Sequence, residues 1–215
     1  MPVIAVINQK GGSSKSTTAV HLIAWLHRQG AQCLLIDADG QRTSSIWLES
    51  LGQNIESKVI QDPDALLDAL PKLADEYQWI VIDGPANLSE ATRAAILWAD
   101  LAAVPCQPTG VDLASAGDTV RLIKQAQKIR GGLPQAALFL ARAVKGTRLK
   151  GEASEVLGAI PETRLLSTII HQRQIVADAF GQGATVFSMT GSPAGIAARE
   201  YAELFKEMME LLKDA

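Results

Sequence analysis

Short apolar runs alternate with longer segments of helical periodicity along most of the chain. Several apolar runs are continuous rather than alternating, which is typical of strands buried on both faces of a parallel sheet. The predicted strands are Val3–Ile7, Cys33–Ile36, Trp79–Ile82, Leu101–Val104, Ala137–Ala141 and Leu165–Ile169. The predicted helices are Ser16–Arg28, Pro63–Glu76, Ser89–Trp98, Leu113–Arg130, Glu152–Leu157, Ile175–Phe180 and Pro193–Lys213.

This alternation predicts an α/β fold with three layers, α/β/α, built around a mostly parallel sheet. The 215 residues include 47% hydrophobic and 20% charged residues, which suits one soluble core. We therefore expect a single domain over residues 1–215. In such a sheet, ligands bind at the carboxyl ends of the strands.

Charge and cysteine content narrow the function classes. The formal net charge is -3, so contact with nucleic acid would need a local basic patch. Cys33 and Cys106 lie in apolar runs without metal-ligand or redox spacing, which indicates buried core residues and a reducing compartment. No apolar run approaches the roughly 18 residues that span a bilayer. The first residues, MPVIAV, are too short for the core of a signal peptide, so we expect a cytoplasmic location.

Residues 6–18, VINQKGGSSKSTT, connect the first predicted strand to the first predicted helix. A Walker A loop has this context and reads G-x-x-x-x-G-K-S/T. Lys15 and Ser16 supply its ending, but Ser14 stands where the second glycine belongs, and an extra lysine, Lys10, precedes the two glycines. The alternative is a polar turn with a capping serine. The context favours a phosphate-binding loop of an unusual kind.

The residue types in this loop suit a bound phosphate chain. Gly11 and Gly12 can adopt positive φ and turn backbone N–H groups toward phosphate oxygens. The following helix adds its unpaired amides and its dipole. We expect Lys15 to reach the terminal phosphates and the Ser16 hydroxyl to ligate Mg²⁺. The predicted nucleotide-binding residues of the loop are Gly11, Gly12, Ser13, Ser14, Lys15, Ser16 and Thr17.

Carboxylates follow two of the predicted strands. Asp37 and Asp39, in LLIDADGQ, come at the end of the second strand, and alternation points them the same way. Asp83, in WIVIDGP, ends another apolar strand. Carboxylates in this position can hold Mg²⁺, often through water. Each aspartate alone could instead be a helix cap or a turn former. Their shared position beside the lysine-bearing loop favours a metal and nucleotide site.

Together these motifs resemble those of the ParA/MinD family of deviant-Walker ATPases, which have a P-loop NTPase-like fold. The family loop KGG-x-G-K-S/T is matched by KGGSSKS, and its D-x-D-P-Q motif by Asp37–Gln41. Its Walker B aspartate corresponds to Asp83. Residues 104–117 and 168–183 are similar to segments of the small plasmid-partition ATPases. The resemblance covers nearly the whole chain.

The resemblance implies a Mg-ATP-dependent ATPase that forms a homodimer when ATP binds. Lys15 would meet the phosphates of its own subunit, and Lys10 those of the partner. Asp39 would position the attacking water in a slow, partner-stimulated hydrolysis. The metal residues would be Ser16, Asp37 and Asp83. The nucleotide pocket would also include Arg142 and Pro105. The segment that contains Pro105 could also build the dimer interface.

Two substitutions depart from the family pattern. Ser14 replaces a glycine, so we expect the loop to adopt a backbone conformation there that suits a non-glycine residue. Gly40 replaces the proline of D-x-D-P-Q, which we expect to loosen the turn behind Asp39. Either change could lower turnover.

Some members of the family bind to membranes, and others bind to DNA. The apolar side of the last predicted helix carries Tyr201, Leu204, Phe205, Met208, Leu211 and Leu212, but its polar side is acidic, so we expect it to pack on its own domain. The resemblance then implies non-specific DNA binding on the nucleoid and a small ParB-like or adaptor protein that stimulates hydrolysis. The candidate DNA-binding residues are Lys145, Arg148, Lys150 and Arg173, although a solvated charged face is the simpler interpretation of such short runs.

The leading hypothesis is therefore a DNA-associated ATPase that partitions or positions a plasmid, a chromosome region or a protein organelle. A MinD-like positioning ATPase is one alternative. A metabolic ligase on the same fold is another, although the chain shows no insertion that would build a substrate pocket. A scaffold that binds ATP without hydrolysing it is the third, and the presence of Asp39 argues against it.

Overall fold

The computed structural model describes residues 2–87 and 89–213, except for the side chains of Arg148 and Leu149. Over these ranges the chain forms seven strands and eight helices. The strands are β1 (Val3–Val6), β2 (Cys33–Asp37), β3 (Glu56–Val59), β4 (Trp79–Asp83), β5 (Leu101–Cys106), β6 (Gln135–Leu140) and β7 (Arg164–Leu165). The helices are α1 (Lys15–Arg28), α2 (Thr43–Ser50), α3 (Pro63–Glu76), α4 (Glu90–Trp98), α5 (Gly110–Arg130), α6 (Arg148–Gly158), α7 (Gln174–Gly181) and α8 (Ser192–Lys213).

The strands form one parallel sheet in the order β3-β2-β4-β1-β5-β6-β7. The pairing register aligns the ends of its central strands: Val6 lies beside Asp83, and Asp83 lies beside Asp37. The segments that follow β1, β2 and β4 therefore leave the sheet at the same edge. This register brings the predicted loop and carboxylates together.

Alternate residues of the strands supply two hydrophobic cores, one on each face of the sheet. In β1, Val3 and Ala5 contribute to one core, and Ile4 and Val6 contribute to the other. The first core is covered by α3, α4, α5 and α6, and the second by α1, α2, α7 and α8. The predicted three-layer α/β/α fold with a parallel sheet is confirmed.

Each predicted strand and helix has a counterpart in the structure, and most ends differ by only one to three residues. The last predicted strand is wrong in extent, because only Arg164–Leu165 pairs with β6 as a strand. Two elements were missed, β3 and α2. The strand β3 reads ESKV and lies mostly exposed at the sheet edge, so it carries no apolar run. The helix α2 has eight residues, and no side chain caps its start.

Two further predictions concern buried groups. Cys33 and Cys106 are both buried free thiols in the cores, and burial raises the pKa of the Cys33 thiol to about 11. The helix α8 packs on its own domain, because its apolar residues are buried against the sheet and α1. Among the helices of residues 2–87 and 89–213, none combines the length and the apolar composition needed to cross a membrane.

Candidate nucleotide-binding site

The loop between β1 and α1 contains two residues in the left-handed backbone region. Gly12 has φ 76°, which glycine adopts freely. Ser14 has φ 78° and ψ 22° and directly precedes α1. The expectation of an ordinary conformation at Ser14 is therefore wrong. The loop keeps a turn that suits glycine, and the serine bears the steric cost of its Cβ in that turn.

A cavity of about 570 Å³ opens above the loop at the carboxyl edge of the sheet. Its size falls in the usual range for a small-molecule or cofactor site. One wall comes from the loop, a second from the β2–α2 connection, and a third from residues 170–177. Its lining includes Gly11, Gly12, Ser14, Lys15, Ser16, Thr17, Asp39, Gln41, Thr43, Ala86 and Arg142. Most of the predicted nucleotide-binding residues thus share one cavity.

A second, larger depression of about 840 Å³ lies elsewhere on the molecule. It is lined by the end of α5, the starts of β6 and β7, and the end of α8. None of the predicted site residues reaches it. Size alone therefore does not identify the site in this protein; the smaller cavity is the one lined by the phosphate-binding loop, Asp39 and Arg142, with Asp37 and Asp83 buried behind the lining.

Lys15 is buried at the first position of α1. Burial lowers the pKa of its amine, although the nearby Asp83 and Asp39 carboxylates oppose the shift. The Nζ atom donates a hydrogen bond to the Lys10 carbonyl over 3.1 Å. The amine is therefore anchored to the loop and faces the cavity, where an anion would find it already desolvated.

Asp83 and Asp37 are both fully buried and adjacent in the sheet, but they differ in their contacts. Asp37 accepts the N–H of Asp39 over 3.1 Å and that of Ser45 over 2.8 Å. In the described part of the chain, neither oxygen of Asp83 has a partner in hydrogen-bond geometry. Burial raises the pKa of Asp83 to about 7, while the hydroxyls of Ser16 and Ser44, which lie near but outside hydrogen-bond geometry, oppose the rise. A buried carboxylate without partners is the feature that a cation site would satisfy.

Asp39 follows β2 and lies at the rim of the cavity. Its carboxylate accepts the N–H of Gln41 over 2.8 Å and that of Ala86 over 3.2 Å. Its carbonyl accepts the N–H of Arg42, which closes a turn around Gly40. Backbone hydrogen bonds therefore hold both carboxylate oxygens of Asp39, and the looser turn expected from Gly40 stays a prediction.

Within residues 2–87 and 89–213, no group of three or more His, Cys, Asp and Glu side chains is arranged to hold a metal. Mg²⁺ bound together with a phosphate chain does not need such a cage, because phosphates and water fill most of its six positions. The Ser16 hydroxyl and the unpartnered Asp83 oxygens fit this kind of site.

Lys10 points away from the cavity toward α5. Its Nζ atom lies 2.5 Å from Oδ2 of Asp112, a carboxylate with no exposed surface. Its backbone N–H donates to Oδ1 of Asn8, whose side-chain amide in turn donates to the Pro105 carbonyl over 2.7 Å. Lys10 is thus paired within its own subunit. Of the two loop lysines, Lys15 is the one that lines the cavity.

Arg142 lines the cavity, whereas Pro105 does not. Arg142 has φ 53°, and its guanidinium donates to the Gly12 carbonyl over 3.2 Å. The same carbonyl accepts a hydrogen bond of 2.8 Å from Gln107, so two side chains hold this part of the loop. Pro105 lies buried within β5 and contributes only its carbonyl to the Asn8 contact. The structure does not bring Pro105 to the nucleotide wall.

The two basic regions meet beside the cavity. A parallel bridge pairs Ala143 with His171 and brings Lys145 and Arg173 to neighbouring chain segments. Lys145 is exposed, and Lys150 is partly exposed on α6. The side chain of Arg148 lies outside what the structure describes. Arg173 differs, because its guanidinium pairs with Glu200 over 2.5 Å and its side chain is only 16% exposed.

Two glutamates of α8 hold the third wall of the cavity. Glu200 accepts hydrogen bonds from the backbone and ring of His171 and from Arg173. Glu207, two turns later, accepts from Ser167 and Thr168. These donors oppose the effect of burial and keep the pKa values of both carboxyls below their usual range. Glu200 of α8 therefore holds the wall together with the backbone hydrogen bonds that Ile170 and Gln172 make to Ala143, and Glu207 holds the residues just before the wall.

The turn after β4 touches the start of the loop directly. Gly84 donates its N–H to the Val6 carbonyl over 3.0 Å. A Cβ atom at this position would lie 2.8 Å from Cγ2 of Ile7 and 3.2 Å from the Val6 carbonyl oxygen. Position 84 therefore has no space for a side chain. The absence of a Cβ lets the backbone of Gly84 lie directly against the end of β1.

Several site residues escaped the sequence analysis. Asp112 follows Thr109 with the spacing of a capping box, and Thr109 does cap α5 by accepting the Asp112 N–H. That pattern could have marked Asp112, although not its contact with Lys10. Glu200 and Gln107 gave no local signal, since their partners lie 27 or more positions away.

Comparisons with known proteins agree with this site. Residues 4–186 match the CobQ/CobB/MinD/ParA nucleotide binding domain. Maintenance of carboxysome distribution protein A of Gloeobacter kilaueensis is 38% identical over 120 residues, 55% of each chain. Protein ParA of Rhizobium radiobacter is 25% identical over 99% of this chain and 100% of its own.

A solved structure shares the fold. The ATP complex of a Cyanothece McdA variant superposes with a TM-score of 0.79 at 18% identity, covering 98% of this chain and 96% of that one. The match of the nucleotide binding domain extends over most of the chain, from β1 to beyond α7. The chain therefore belongs to the CobQ/CobB/MinD/ParA family of nucleotide-binding proteins.

Proposed function

We propose that this protein dimerises when it binds ATP, holds non-specific DNA in that state and thereby partitions or positions a cargo. As a ParA/MinD-type member of its family, the protein is an ATPase that uses ATP and Mg²⁺. One observation carries the proposal: the loop, Lys15 and Asp39 face one cavity at the carboxyl edge of the sheet.

The loop and the start of α1 bind the phosphate chain. Backbone amides at the start of a helix attract anions, and Lys15 adds a desolvated positive charge. Arg142 lines the same cavity, which supports assigning it a contact with the nucleotide beyond the phosphates. Positioning and charge neutralisation of this kind supply most of the catalysis in phosphoryl transfer.

Ser16 and Asp83 suit the metal. When bound, Mg²⁺ supplies charge neutralisation and orientation of the phosphate oxygens. The unpartnered oxygens of Asp83 are suited to water-mediated ligation, within the residues described. We also assign Asp37 to the metal, as the sequence predicts. Asp37 accepts the N–H of Asp39 and so holds the turn that carries Asp39.

Asp39 orients the attacking water. Its carboxylate lies at the cavity and is held by the N–H groups of Gln41 and Ala86. An acceptor fixed in this way can align a water molecule without a large reorganisation during the reaction. The site offers no strongly basic group for proton abstraction at this position, which suits slow hydrolysis and a long-lived ATP state.

Lys10 neutralises the phosphates of the partner subunit. A cation that meets the triphosphate only across an interface makes association depend on the bound nucleotide. The location of Lys10 supports this assignment, because its amine lies on the α5 side of the loop and does not share the cavity with Lys15.

Lys145, Arg148 and Lys150 contact DNA phosphates. The bridge between Ala143 and His171 gathers the two basic regions beside the cavity, and dimerisation would double the patch. Arg173 remains in the proposal with a smaller part, since Glu200 already neutralises it. The relatives named ParA and maintenance of carboxysome distribution protein A support partition or positioning as the task. The proposal also includes a small adaptor protein that stimulates hydrolysis.

Three measurements on one preparation test the proposal. The first follows phosphate release with and without DNA, and the second follows dimer formation with ATP in an Asp39→Ala variant. The third measures DNA retardation with ATP, with ADP and without nucleotide. We expect slow hydrolysis, a dimer in ATP alone and retardation only in ATP. A matched pair, Lys10→Ala and Lys72→Ala, separates the loop lysine from an exposed lysine of α3.

The outcomes separate the alternatives. ATP turnover that requires a small carboxylic acid would identify a metabolic ligase. ATP binding without any turnover would identify a scaffold, and ATP-dependent sedimentation with anionic vesicles instead of DNA would identify a MinD-like mode. A Lys10→Ala protein that still dimerises and retards DNA would contradict the assignment of Lys10.

A further inference from the structure

We infer that Ser44 is a positioning residue of the metal site, whose hydroxyl orients the Asp83 carboxylate when Mg²⁺ and nucleotide are bound. The inference rests on the proposed function, because it takes Ser16 and Asp83 as residues that serve the metal. It adds α2 to the elements that hold this site, which are otherwise α1, β2 and β4.

Ser44 carries a buried hydroxyl that the fold does not satisfy. The residue is 0% exposed, and within residues 2–87 and 89–213 its Oγ atom has no hydrogen-bond partner. A buried hydroxyl without a partner lowers stability relative to an apolar side chain of similar size. Packing alone therefore does not explain a serine at this position.

The contact between α2 and β2 sets the position of this hydroxyl. Oδ2 of Asp37 accepts the N–H of Ser45 over 2.8 Å, which holds the first turn of α2 against the end of β2. Asp37 lies beside Asp83 in the sheet. The turn that contains Ser44 is therefore fixed beside the carboxyl end of β4, and the Ser44 hydroxyl lies near the Asp83 carboxylate.

The groups that meet at this point have not completed their hydrogen bonds. The hydroxyls of Ser16 and Ser44 lie near Asp83 but outside hydrogen-bond geometry, and among the described residues both Asp83 oxygens lack a partner. A carboxylate that serves a metal is itself held in orientation by a hydrogen-bond donor. A serine side chain can rotate to donate to such a carboxylate without movement of its backbone.

The neighbouring serine shows a different arrangement. Ser45 is 1% exposed, and its hydroxyl donates to the Arg42 carbonyl over 3.1 Å. The Ser45 hydroxyl therefore stabilises the start of α2, whereas the Ser44 hydroxyl makes no such bond in the described ranges. Two adjacent serines of nearly equal burial thus form a matched pair for an experiment.

The test measures how much Mg²⁺ increases nucleotide affinity in Ser44→Ala and Ser45→Ala. A fluorescent, non-hydrolysable ATP analogue is titrated into each protein with MgCl₂ and again with EDTA. We expect Ser44→Ala to lose about tenfold of the increase and to match the wild type in EDTA. A residue that only shaped the pocket would change both affinities alike. Ser45→Ala should keep the wild-type increase, because alanine retains the N–H that Asp37 accepts.

Urea denaturation without metal or nucleotide is the second readout. Ser44→Ala removes a hydroxyl that has no partner in the described structure, so its midpoint should equal or exceed that of the wild type. Ser45→Ala should lower the midpoint, because it removes a hydrogen bond. A midpoint of Ser44→Ala below that of the wild type would show that the hydroxyl serves the fold, and would overturn the inference.

Asp83→Asn separates this inference from the proposed function. If Mg²⁺ does not increase the affinity of the wild type, or if Asp83→Asn keeps the full increase, the assignment of Asp83 to the metal fails. If Asp83→Asn loses the increase but Ser44→Ala keeps it, the inference alone is overturned. The double variant should lose no more than Asp83→Asn, because Ser44 acts through Asp83, and additive losses would contradict this route.

Discussion

At the scale of single residues, the phosphate-binding loop contains a conformational cost. Ser14 occupies the left-handed region that the family gives to glycine. A non-glycine residue there costs about 1 kcal/mol. We predict that Ser14→Gly raises the free energy of unfolding by about that amount, as measured by urea denaturation. Ser13→Gly is the control: Ser13 has no positive φ, so the change should destabilise the protein through added backbone freedom.

At position 84, the neighbouring atoms rather than the backbone conformation exclude a residue larger than glycine. Ala at this position would press on Ile7 and on the Val6 carbonyl. We predict that Gly84→Ala lowers the free energy of unfolding by about 1–3 kcal/mol, since β1 or β4 must shift. Gly40→Ala is the control: it has open space around its Cβ and no positive φ, so its free energy of unfolding should not fall and should rise by about 0.4–1 kcal/mol.

His21 makes stability depend on pH. Burial lowers its pKa to about 4, against the hydrogen bond to the Thr17 carbonyl. The ring donates from Nδ1 to Thr17 and accepts the Val186 N–H at Nε2, which requires the neutral form. In the unfolded chain, the His21 ring takes up a proton near pH 6.5. The free energy of unfolding therefore decreases as the pH falls from about 6.5 to about 4.

We predict that this loss amounts to about 3 kcal/mol for the wild type. Urea denaturation at pH 7 and pH 4.5 measures it, with His21→Gln as the comparison. The glutamine cannot titrate, so the difference between the two proteins should shrink as the pH falls. A difference that is constant with pH would show that the ring is not held neutral.

At the scale of elements, α8 contributes Tyr201 to the lining of the cavity and also holds the neighbouring wall, residues 170–177. Glu200 holds His171 and Arg173, both of which line the cavity. We predict that Glu200→Gln weakens ATP binding about five- to tenfold, because the wall loses charge-assisted hydrogen bonds worth about 1–2 kcal/mol. Fluorescent-nucleotide titration measures the effect.

Glu203→Gln is the matched control for this prediction, because Glu203 is exposed on α8 and, among the residues that the structure describes, pairs with Lys206 alone. Equal nucleotide affinity in the two variants would show that the wall does not depend on Glu200. A loss of folding in Glu200→Gln is distinguished by its urea midpoint.

The elements also show how far the sequence could be interpreted. Buried strands and long amphipathic helices were predictable, because apolar runs and helical spacing are local. The edge strand β3 and the short helix α2 were not, since one lacks an apolar run and the other lacks a capping side chain. In the site, the loop and the strand-end aspartates were predictable from their motifs. The pairing of Lys10 with Asp112 was not, because it spans 102 positions.

At the scale of the whole molecule, the proposed DNA binding requires a local basic patch, because the chain has a net charge of -3. We predict that Lys145→Ala and Lys150→Ala each weaken ATP-dependent DNA binding. Each should also reduce the slope of log Kd against log salt by about 1 for each DNA phosphate that the variant no longer neutralises. Retardation at several salt concentrations measures both effects.

Lys206→Ala is the control for this prediction, since its amine pairs with Glu203 on α8. An unchanged slope in the Lys145 and Lys150 variants would assign the DNA phosphates to other residues. A slope that falls equally with Lys206→Ala would indicate a general effect of net charge.

The bridge between Ala143 and His171 has one more consequence. Arg142 touches the loop through Gly12, and Lys145, three positions later, is exposed beside it. The residue that contacts the phosphate-binding loop and the lysine proposed to contact DNA therefore lie three positions apart in the chain. Under the proposed function, a change at the nucleotide pocket would reach the DNA contact through this short segment, without a relay through the core.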